Sequence, residues 1–275
     1  LIHELLLAQQ FKIGNDPTLF VNTFGMGIWI AGVLWNRTCL NLARKGYRIS
    51  VAPVGPNLET CLDVIQKLAH HYKRVILCGY PPFISSCISE GCRRGIDWSR
   101  YSLQLLMAAE GFSEEFREHL GARAGISNTF RDICNIYGTV ELSTQATETP
   151  LTTLIRKIAL AHPAFFRDLF PGADRLPTLA QFHPSVVWFE AIDGEVIATG
   201  HASIPLVRYR FYDRGGVIGY DSMVQIAQAH GIDLLEEARK LDFTDTLMQL
   251  PFVFVFERAD QALSLMGLLI YPEFL

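Results

Sequence analysis

The sequence has little that would mark a membrane, secreted or nucleic-acid-binding protein. Its longest apolar stretch, residues 25–35, has 11 residues, whereas a helix that crosses a bilayer needs about 20. Six cysteines in 275 residues are too sparse for a disulfide scaffold, which favours a reducing cytoplasm. No signal peptide is recognisable. The net charge of −4 provides no basic surface for nucleic acid or anionic lipid.

Common ligand motifs are missing as well. Cys78, Cys87 and Cys92 match no standard zinc-site spacing, and no paired histidine lies near them. No Walker-type Gly-x-x-x-x-Gly-Lys sequence occurs, and no Ser/Thr/Gly-rich loop is present that could grip phosphates. The sequence therefore supports neither a P-loop nor a zinc site.

What is present is enough apolar material for a sizeable core, since 49% of the 275 residues are hydrophobic. This length allows one large domain or two smaller ones. The chain begins at Leu1 in a helical pattern and stops at Leu275 directly after a Pro-Glu turn. We expect it to be a piece of a longer polypeptide.

Strand and helix patterns alternate four times in the first half of the chain. Strand-like apolar runs lie at residues 48–54, 74–78, 101–108 and 133–137. Asn57 and Ser113 stand where helix N-caps are expected. The alternation predicts an α/β fold with a mostly parallel, doubly wound sheet.

The second half has a different pattern and predicts a smaller β-rich subdomain. Residues 186–189 and 195–199, joined through Asp193-Gly194, are typical of a β-hairpin. Further strands are expected at residues 206–211 and 251–256. The predicted domains are residues 1–150, residues 151–256, and residues 257–275 as a hinge and the start of another domain.

Polar side chains follow the fourth strand directly. The strand ends at Gly138, a residue suited to a sharp turn or a close backbone approach. Thr139 and Glu141 come next, where the carboxyl end of a parallel strand would present them to a ligand. A carboxylate in this position suits a divalent cation that binds phosphates. The alternative is an ordinary polar loop that ends a core strand.

Three separated stretches together resemble the adenylate-forming superfamily of acyl-CoA ligases, most closely the phenylacetate-CoA ligase branch. They are Tyr-Gly-Thr-Val-Glu at residues 137–141, Tyr-Arg-Phe-Tyr-Asp at 209–213, and Arg-Ala-Asp at 258–260 followed by Gly267 and Ile-Tyr-Pro at 270–272. That family carries Tyr-Gly-x-x-Glu, Tyr-Arg-x-x-Asp and an Arg-x-Asp hinge. The fold it implies is the large N-terminal domain of such an enzyme, here incomplete.

The resemblance implies a role for each matched residue. Glu141 would hold the Mg²⁺ that bridges the phosphates of ATP, and Thr139 would reach the α-phosphate. Tyr137 would stack on or near the adenine of AMP, and Gly138 would belong to the same nucleotide-binding loop. Asp213 would accept both ribose hydroxyls, for which a carboxylate has suitable oxygens.

The remaining matches are less regular. Arg258 would touch the ribose or phosphate, and Asp260 would be the hinge. Glu110 and Gly111 would line the adenine pocket, although Ala109 replaces a glycine of the family. The residue pair 211–212, Phe-Tyr, likewise replaces a usual Thr-Gly. Taken singly, Asp213 is more typical of a turn before Gly215 and Gly216, and Arg258 of a surface charge.

The implied activity is ATP-dependent activation of a small-molecule carboxylic acid, followed by transfer of the acyl group to coenzyme A. The acid would lie against residues 24–29 and 80–83. The resemblance leaves open whether the protein forms a homodimer. Two alternatives remain: transfer of the acyl group to a protein or another nucleophile, and a non-catalytic nucleotide-binding module. The phosphate-gripping loop and the catalytic lysine of the family lie outside these 275 residues. We therefore expect the isolated piece to bind adenosine nucleotides weakly and to catalyse nothing.

Overall fold

The computed structural model describes residues 2–14, 16–27, 30–202, 204–258, 263–265 and 268–270, with side chains up to residue 256. The chain divides into two compact units, Leu1–Asn135 and Ile136–Leu275. Within the described ranges, no helix combines the length and the apolar character that a membrane crossing requires.

Parallel strands and helices alternate in the first unit. Its strands are β1 (Thr18–Asn22), β2 (Ile49–Pro53), β3 (Arg74–Gly79) and β4 (Ser102–Ala108), and β5 (Ile133–Thr139) leads into the second unit. Its helices are α1 (Ile2–Leu5), α2 (Ile30–Arg44), α3 (Leu58–Leu68), α4 (Pro81–Arg93), α5 (Glu114–Ala124) and α6 (Thr129–Asp132). A π-helical turn, Leu6–Gln10, follows α1.

The predicted doubly wound sheet is confirmed. The strands are parallel in the order β2-β1-β3-β4. Leu19 and Val21 of β1 pack into the core that α3, α4 and α5 cover. Phe20, which points to the opposite face because successive strand residues alternate, stacks on Trp35 of α2 at 5.5 Å between ring centroids. Helices therefore cover both faces.

The predicted helix caps in this unit are also confirmed. Asn57 Oδ1 accepts a hydrogen bond from the Thr60 backbone N–H at 2.9 Å. Ser113 Oγ accepts one from the Phe116 backbone N–H at 3.2 Å. Each cap satisfies an amide that the first helical turn leaves without a partner in the helix.

Antiparallel strands dominate the second unit. They are β6 (Ser143–Thr147), β7 (Thr178–Gln181), β8 (Val187–Ile192), β9 (Glu195–His201), β10 (Pro205–Ile218) and β11 (Phe252–Arg258), with a separate hairpin of β12 (Leu263–Leu265) and β13 (Leu268–Ile270). The strand order is β6-β7-β11-β10-β9-β8. The helices are α7 (Pro150–Ala161), α8 (Pro163–Leu169), α9 (Tyr220–Ala229) and α10 (Leu234–Lys240).

The β8–β9 hairpin forms as the sequence predicts. Asp193 and Gly194 have φ angles of 52° and 79°, the left-handed backbone that a tight two-residue hairpin turn requires. Val187 and Phe189 are buried, whereas Trp188 between them is 54% exposed. This alternation is typical of a sheet with one covered face.

Three features of the second unit differ from the expectations. The strands β6 and β7 were not predicted, because their threonine- and glutamine-rich segments lack an apolar pattern. The strand expected at residues 206–211 continues to Ile218 as β10. Asp213 consequently lies within a strand, and its interpretation as a turn residue is wrong.

Candidate functional site

The candidate site of the second unit begins with the hairpin that joins β5 and β6. β5 continues past Gly138 to Thr139, and β6 returns antiparallel to it. A Cβ atom on Gly138 would lie 2.4 Å from the backbone oxygen of Ser143. Gly138 therefore permits a close approach of two strands and does not form a turn.

Thr139 is fixed at the tip of this hairpin. Its Oγ1 accepts a hydrogen bond from Gln145 Nε2 at 2.8 Å and a longer one, 3.4 Å, from the Leu142 backbone N–H. These contacts orient the Thr139 hydroxyl, and the side chain of Glu141 in the same hairpin is exposed. The tip thus offers one hydroxyl and one carboxylate to solvent.

Tyr137 and Asp213 meet although 76 positions separate them in the sequence. The Tyr137 hydroxyl donates to Asp213 Oδ2 at 2.6 Å, a short bond of the kind that a charged acceptor favours. Asp213 is only 8% exposed. The Tyr137 ring lies 6.1 Å from the ring of Phe189, centroid to centroid. Two motifs that are separate in the sequence therefore form one polar cluster.

The path of β10 explains how Asp213 reaches this position. Arg210 is opposite Ile197 of β9, but Asp213 is opposite Val196, so two residues bulge out of the strand. Tyr212 in this bulge has φ 64°, and Arg208 in an earlier irregularity has φ 50°. Bulges re-aim side chains and are common beside active sites. Tyr212 occupies the position at which the family resemblance places a glycine, a residue that adopts a positive φ without strain.

Arg258 lies next to Asp213 in the sheet. The two residues are register partners in the antiparallel pair of β10 and β11. Arg258 is the last residue of β11, and its side chain is not among those described. Asp260, the predicted hinge residue, lies outside the described residues.

The chemistry of Glu141 is that of a single exposed carboxylate. Its Oε1 is 3.4 Å from the hydroxyl of Tyr209, and its negative charge raises the pKa of Tyr209. In the part of the chain that the structure describes, no group of three or more His, Cys, Asp or Glu could hold a metal by itself. Mg²⁺ is commonly bound by one or two carboxylates together with substrate phosphates, so the residues present fit a nucleotide-borne Mg²⁺ and no metal held by protein alone.

Glu110 and Gly111 belong to the first unit, in the turn between β4 and α5. Asn135 Nδ2 donates to the backbone oxygen of Glu110 at 3.0 Å, which ties this turn to β5. Ala109 has φ 82°, a left-handed backbone that costs a residue with a Cβ about 1–2 kcal/mol. As at Tyr212, the family resemblance places a glycine here.

The segments expected to contact an acid follow β1 and β3 of the first unit. The chain leaves β1 for β2 on one side and then crosses to β3 on the other, so the strand order reverses between β1 and β3. Such switch points are where open α/β sheets bind ligands. Thr23 Oγ1 donates to the Cys78 backbone oxygen at 2.8 Å and holds the two strand ends together. Ile28 and Trp29 lie outside the described residues.

No protein-family model matches the sequence, and no curated protein matches it. Solved structures do match. One is a 2-hydroxyisobutyryl-CoA ligase in complex with 2-HIB-AMP and CoA, with a TM-score of 0.66 and 12% identity over 99% of this chain and 49% of that one. The chain therefore shares the fold of the matched part of that ligase.

Two further solved structures have the same fold. An open conformation of 2-hydroxyisobutyryl-CoA ligase has a TM-score of 0.60 and 13% identity over 98% of this chain and 56% of that one. The protein IdnL1 has a TM-score of 0.53 and 12% identity over 98% of this chain and 50% of that one. This chain thus spans about half the length of these proteins, and the fold resemblance inferred from the sequence motifs is confirmed.

Some contacts of the site escaped the sequence analysis. Gln145, which orients Thr139, and Asn135, which holds the Glu110 turn, stand in polar stretches without a recognised motif. Tyr209, whose hydroxyl faces Glu141, is the first residue of the Tyr-Arg-x-x-Asp stretch. Its position in that motif is the sequence feature that indicates a place in the site.

Proposed function

We propose that this chain is the nucleotide-binding part of an adenylate-forming ligase that activates a small carboxylic acid and transfers the acyl group to coenzyme A. The hydrogen bond between Tyr137 and Asp213 carries the proposal. It joins the Tyr-Gly-x-x-Glu and Tyr-Arg-x-x-Asp stretches, which the resemblance assigns to one nucleotide. A phenylacetate-like acid is the substrate class that we favour.

The nucleotide roles follow from the chemistry of each group. Asp213 accepts the ribose hydroxyls, because its buried carboxylate has acceptor oxygens and is held in place by Tyr137. The Tyr137 ring and the Glu110–Gly111 turn contact adenine, and Arg258 approaches the ribose or phosphate. Gly138 lets the backbone come near the ligand.

Thr139 and Glu141 act at the phosphates. The Thr139 hydroxyl, oriented by Gln145, reaches the α-phosphate, and the exposed Glu141 carboxylate would hold Mg²⁺. Bound Mg²⁺ would supply neutralisation of phosphate charge. The acid oxygen attacks the α-phosphorus and pyrophosphate leaves, so that an acyl-adenylate forms, and a thiolate then displaces AMP. Positioning and charge neutralisation account for most of such catalysis.

The proposal includes the organisation of the chain. Residues 1–150 form an α/β subdomain, residues 151–256 a β-rich subdomain, and residues 257–275 a hinge leading into a further domain. We place the enzyme in the cytoplasm, without a nucleic-acid or membrane partner.

Acid-dependent exchange of pyrophosphate into ATP by the full-length protein tests the proposal. Asp213→Ala should weaken nucleotide binding by about 1–3 kcal/mol, the range for hydrogen bonds to a charged acceptor. Glu141→Gln should mainly slow adenylate formation and shift its Mg²⁺ dependence. Glu236→Gln, which alters an exposed glutamate of α10, is the control and should leave both unchanged.

Three results would contradict parts of this proposal. The absence of exchange with every acid tried would favour the non-catalytic nucleotide-binding module. Exchange without thiol-dependent release of AMP would favour transfer to a protein or another acceptor. Normal kinetics in both site variants would remove Asp213 and Glu141 from the site.

A further inference from the structure

Arg117 of α5 is buried completely in the first unit. Its side chain has 0% exposure and that of its partner Glu114 has 5%. Arg117 Nε donates to Glu114 Oε2 at 2.9 Å, and Arg117 Nη1 donates to the backbone oxygen of Ile133 at 2.6 Å. The guanidinium carbon also lies 4.9 Å from the centroid of the Phe112 ring. One side chain thus contacts the start of α5, the start of β5 and the segment between β4 and α5.

The segment that these contacts hold is the Glu110–Gly111 turn. Phe112 follows the turn directly and is contacted by Arg117. Asn135 Nδ2 binds the Glu110 backbone oxygen from β5, the strand whose Ile133 carbonyl Arg117 also binds. Ala109, at the entry to the turn, has φ 82°. A strained backbone of this kind persists only where its surroundings hold it.

A contribution to folding stability explains the buried Arg117–Glu114 pair poorly. Removing two charges from water costs several kcal/mol for each ion, and well-packed apolar residues often serve equally well in place of a buried pair. What an apolar side chain cannot do is bind a carboxylate, a carbonyl oxygen and an aromatic face at the same time. The planar, always charged guanidinium can.

We propose that Arg117 is a positioning residue that keeps the Glu110–Gly111 turn in the shape that receives the adenine base. This inference deepens the proposed function and rests on it. Arg117 does not touch the nucleotide itself. It acts through Phe112 and through the start of β5.

The experiment removes both charges together in the full-length protein, because loss of the Arg117 guanidinium alone would leave the charge of the buried Glu114 without that neutralising group and would by itself destabilise the fold. The variant is Glu114→Gln/Arg117→Met. The matched control is Glu236→Gln/Arg239→Met, an exposed pair at the same spacing, three residues apart on α10. Two measurements are made: hydrogen exchange of the backbone amides of residues 109–113, and calorimetric affinity for AMP and for ribose 5-phosphate, which has no base.

We expect exchange at residues 109–113 to become faster by about tenfold or more in the folded variant, since local opening is then cheaper. AMP should bind about tenfold more weakly, because the loosened turn must then be ordered when the base binds. Ribose 5-phosphate should bind as before. The control pair should change none of these quantities.

Unchanged exchange and unchanged AMP affinity in the folded double variant would overturn the inference, and so would an equal loss for AMP and ribose 5-phosphate. If the double variant does not fold, Arg117→Lys replaces it. This variant keeps the positive charge but loses the planar guanidinium with its several donors. Faster exchange at residues 109–113 supports the inference, and wild-type exchange overturns it. If the wild type binds no AMP, the proposed function fails, and hydrogen exchange still decides whether Arg117 holds the turn.

Discussion

The two units bury their strands in different ways. All five residues of β1 in the first unit are buried, since helices cover both faces of that sheet. In β8 and β9 of the second unit, buried residues alternate with partly or fully exposed ones. The first unit therefore presents its candidate groups in turns at strand ends, such as Glu110. The second presents Asp213 from within a strand.

This difference determines how each unit aims its functional groups. In the first unit, a turn with a left-handed residue at Ala109 is bound by Asn135 of β5, and Arg117 of α5 lies over the ring of Phe112, which follows the turn. In the second, the bulge at Tyr212 brings Asp213 to the Tyr137 hydroxyl. In the parallel sheet, the conformation of a loop thus orients the candidate residues. In the antiparallel sheet, the strand register orients them.

Both units contain a buried arginine–glutamate pair, and breaking one should have the largest effect. In the second unit, Arg156 Nη1 donates to Glu148 Oε1 at 2.6 Å, and both side chains are at most 2% exposed. We expect Arg156→Met to lower the free energy of unfolding by about 3–5 kcal/mol, because it removes the guanidinium that neutralises the buried Glu148 carboxylate. Urea denaturation measures this loss.

The double variant Glu148→Gln/Arg156→Met should recover most of that loss, which would show that the cost comes from burying the Glu148 charge without the Arg156 guanidinium. Arg239→Met on the surface is the control and should change stability by no more than about 0.5 kcal/mol. A loss below about 1 kcal/mol in Arg156→Met would mean that this pair is unlike a typical buried one.

Substitution of alanine for a glycine near a strand end should have the second-largest effect, and it should distinguish the two units. A Cβ on Gly79 would meet the Thr23 hydroxyl at 1.9 Å, whereas a Cβ on Gly138 would meet the Ser143 backbone oxygen at 2.4 Å. We expect either alanine variant to cost about 1–3 kcal/mol from overpacking. Thermal and urea denaturation measure both.

A second substitution tells the two glycines apart. Thr23→Ala should restore part of the stability of Gly79→Ala, because it removes the clashing hydroxyl but also that hydroxyl's hydrogen bond to the Cys78 backbone oxygen. No single side-chain truncation should rescue Gly138→Ala, since its obstacle is backbone. Equal rescue of both, or of neither, would contradict this distinction between the units.

Substitution of glycine for a residue with a left-handed backbone should have a smaller effect on stability, and in the opposite direction. Ala109→Gly should stabilise the protein by about 1 kcal/mol, because glycine adopts a φ of 82° without strain. Tyr212→Gly should gain less, since it also removes the Tyr212 ring that lies 4.6 Å from the Arg210 guanidinium carbon. Ala108→Gly in β4 is the control, and it should destabilise by about 0.5–1 kcal/mol. Destabilisation by Ala109→Gly would show that the turn is not strained.

The smallest effect concerns how fast the cysteines react with an alkylating reagent, which reports on the packing of the first unit. Of the six cysteines, Cys92 is exposed and the other five are buried. Burial raises the pKa of Cys39 to about 12, so little of its reactive thiolate forms at mildly alkaline pH. We expect an alkylating reagent to label Cys92 alone in the folded protein and all six in urea, as mass spectrometry would show. Rapid labelling of Cys39 would contradict the buried core.

The sequence by itself determined most of the first unit. The apolar runs predicted β2 to β5, and the caps at Asn57 and Ser113 form as expected. These features are readable because they are local: a strand buried on both faces is a continuous apolar run, and a cap lies within three residues of the amide it binds. The motif residues Tyr137, Glu141 and Asp213 were readable for the same reason.

Only the tertiary structure decided how those residues are arranged. The contact between Tyr137 and Asp213 spans 76 positions and depends on a bulge at Tyr212 that no residue pattern announces. The contacts of Asn135 with the Glu110 carbonyl and of Arg117 with the Ile133 carbonyl likewise join residues 25 and 16 positions apart. Strand register and long-range packing fix side-chain directions, and neither is encoded in the spacing of residues along one segment.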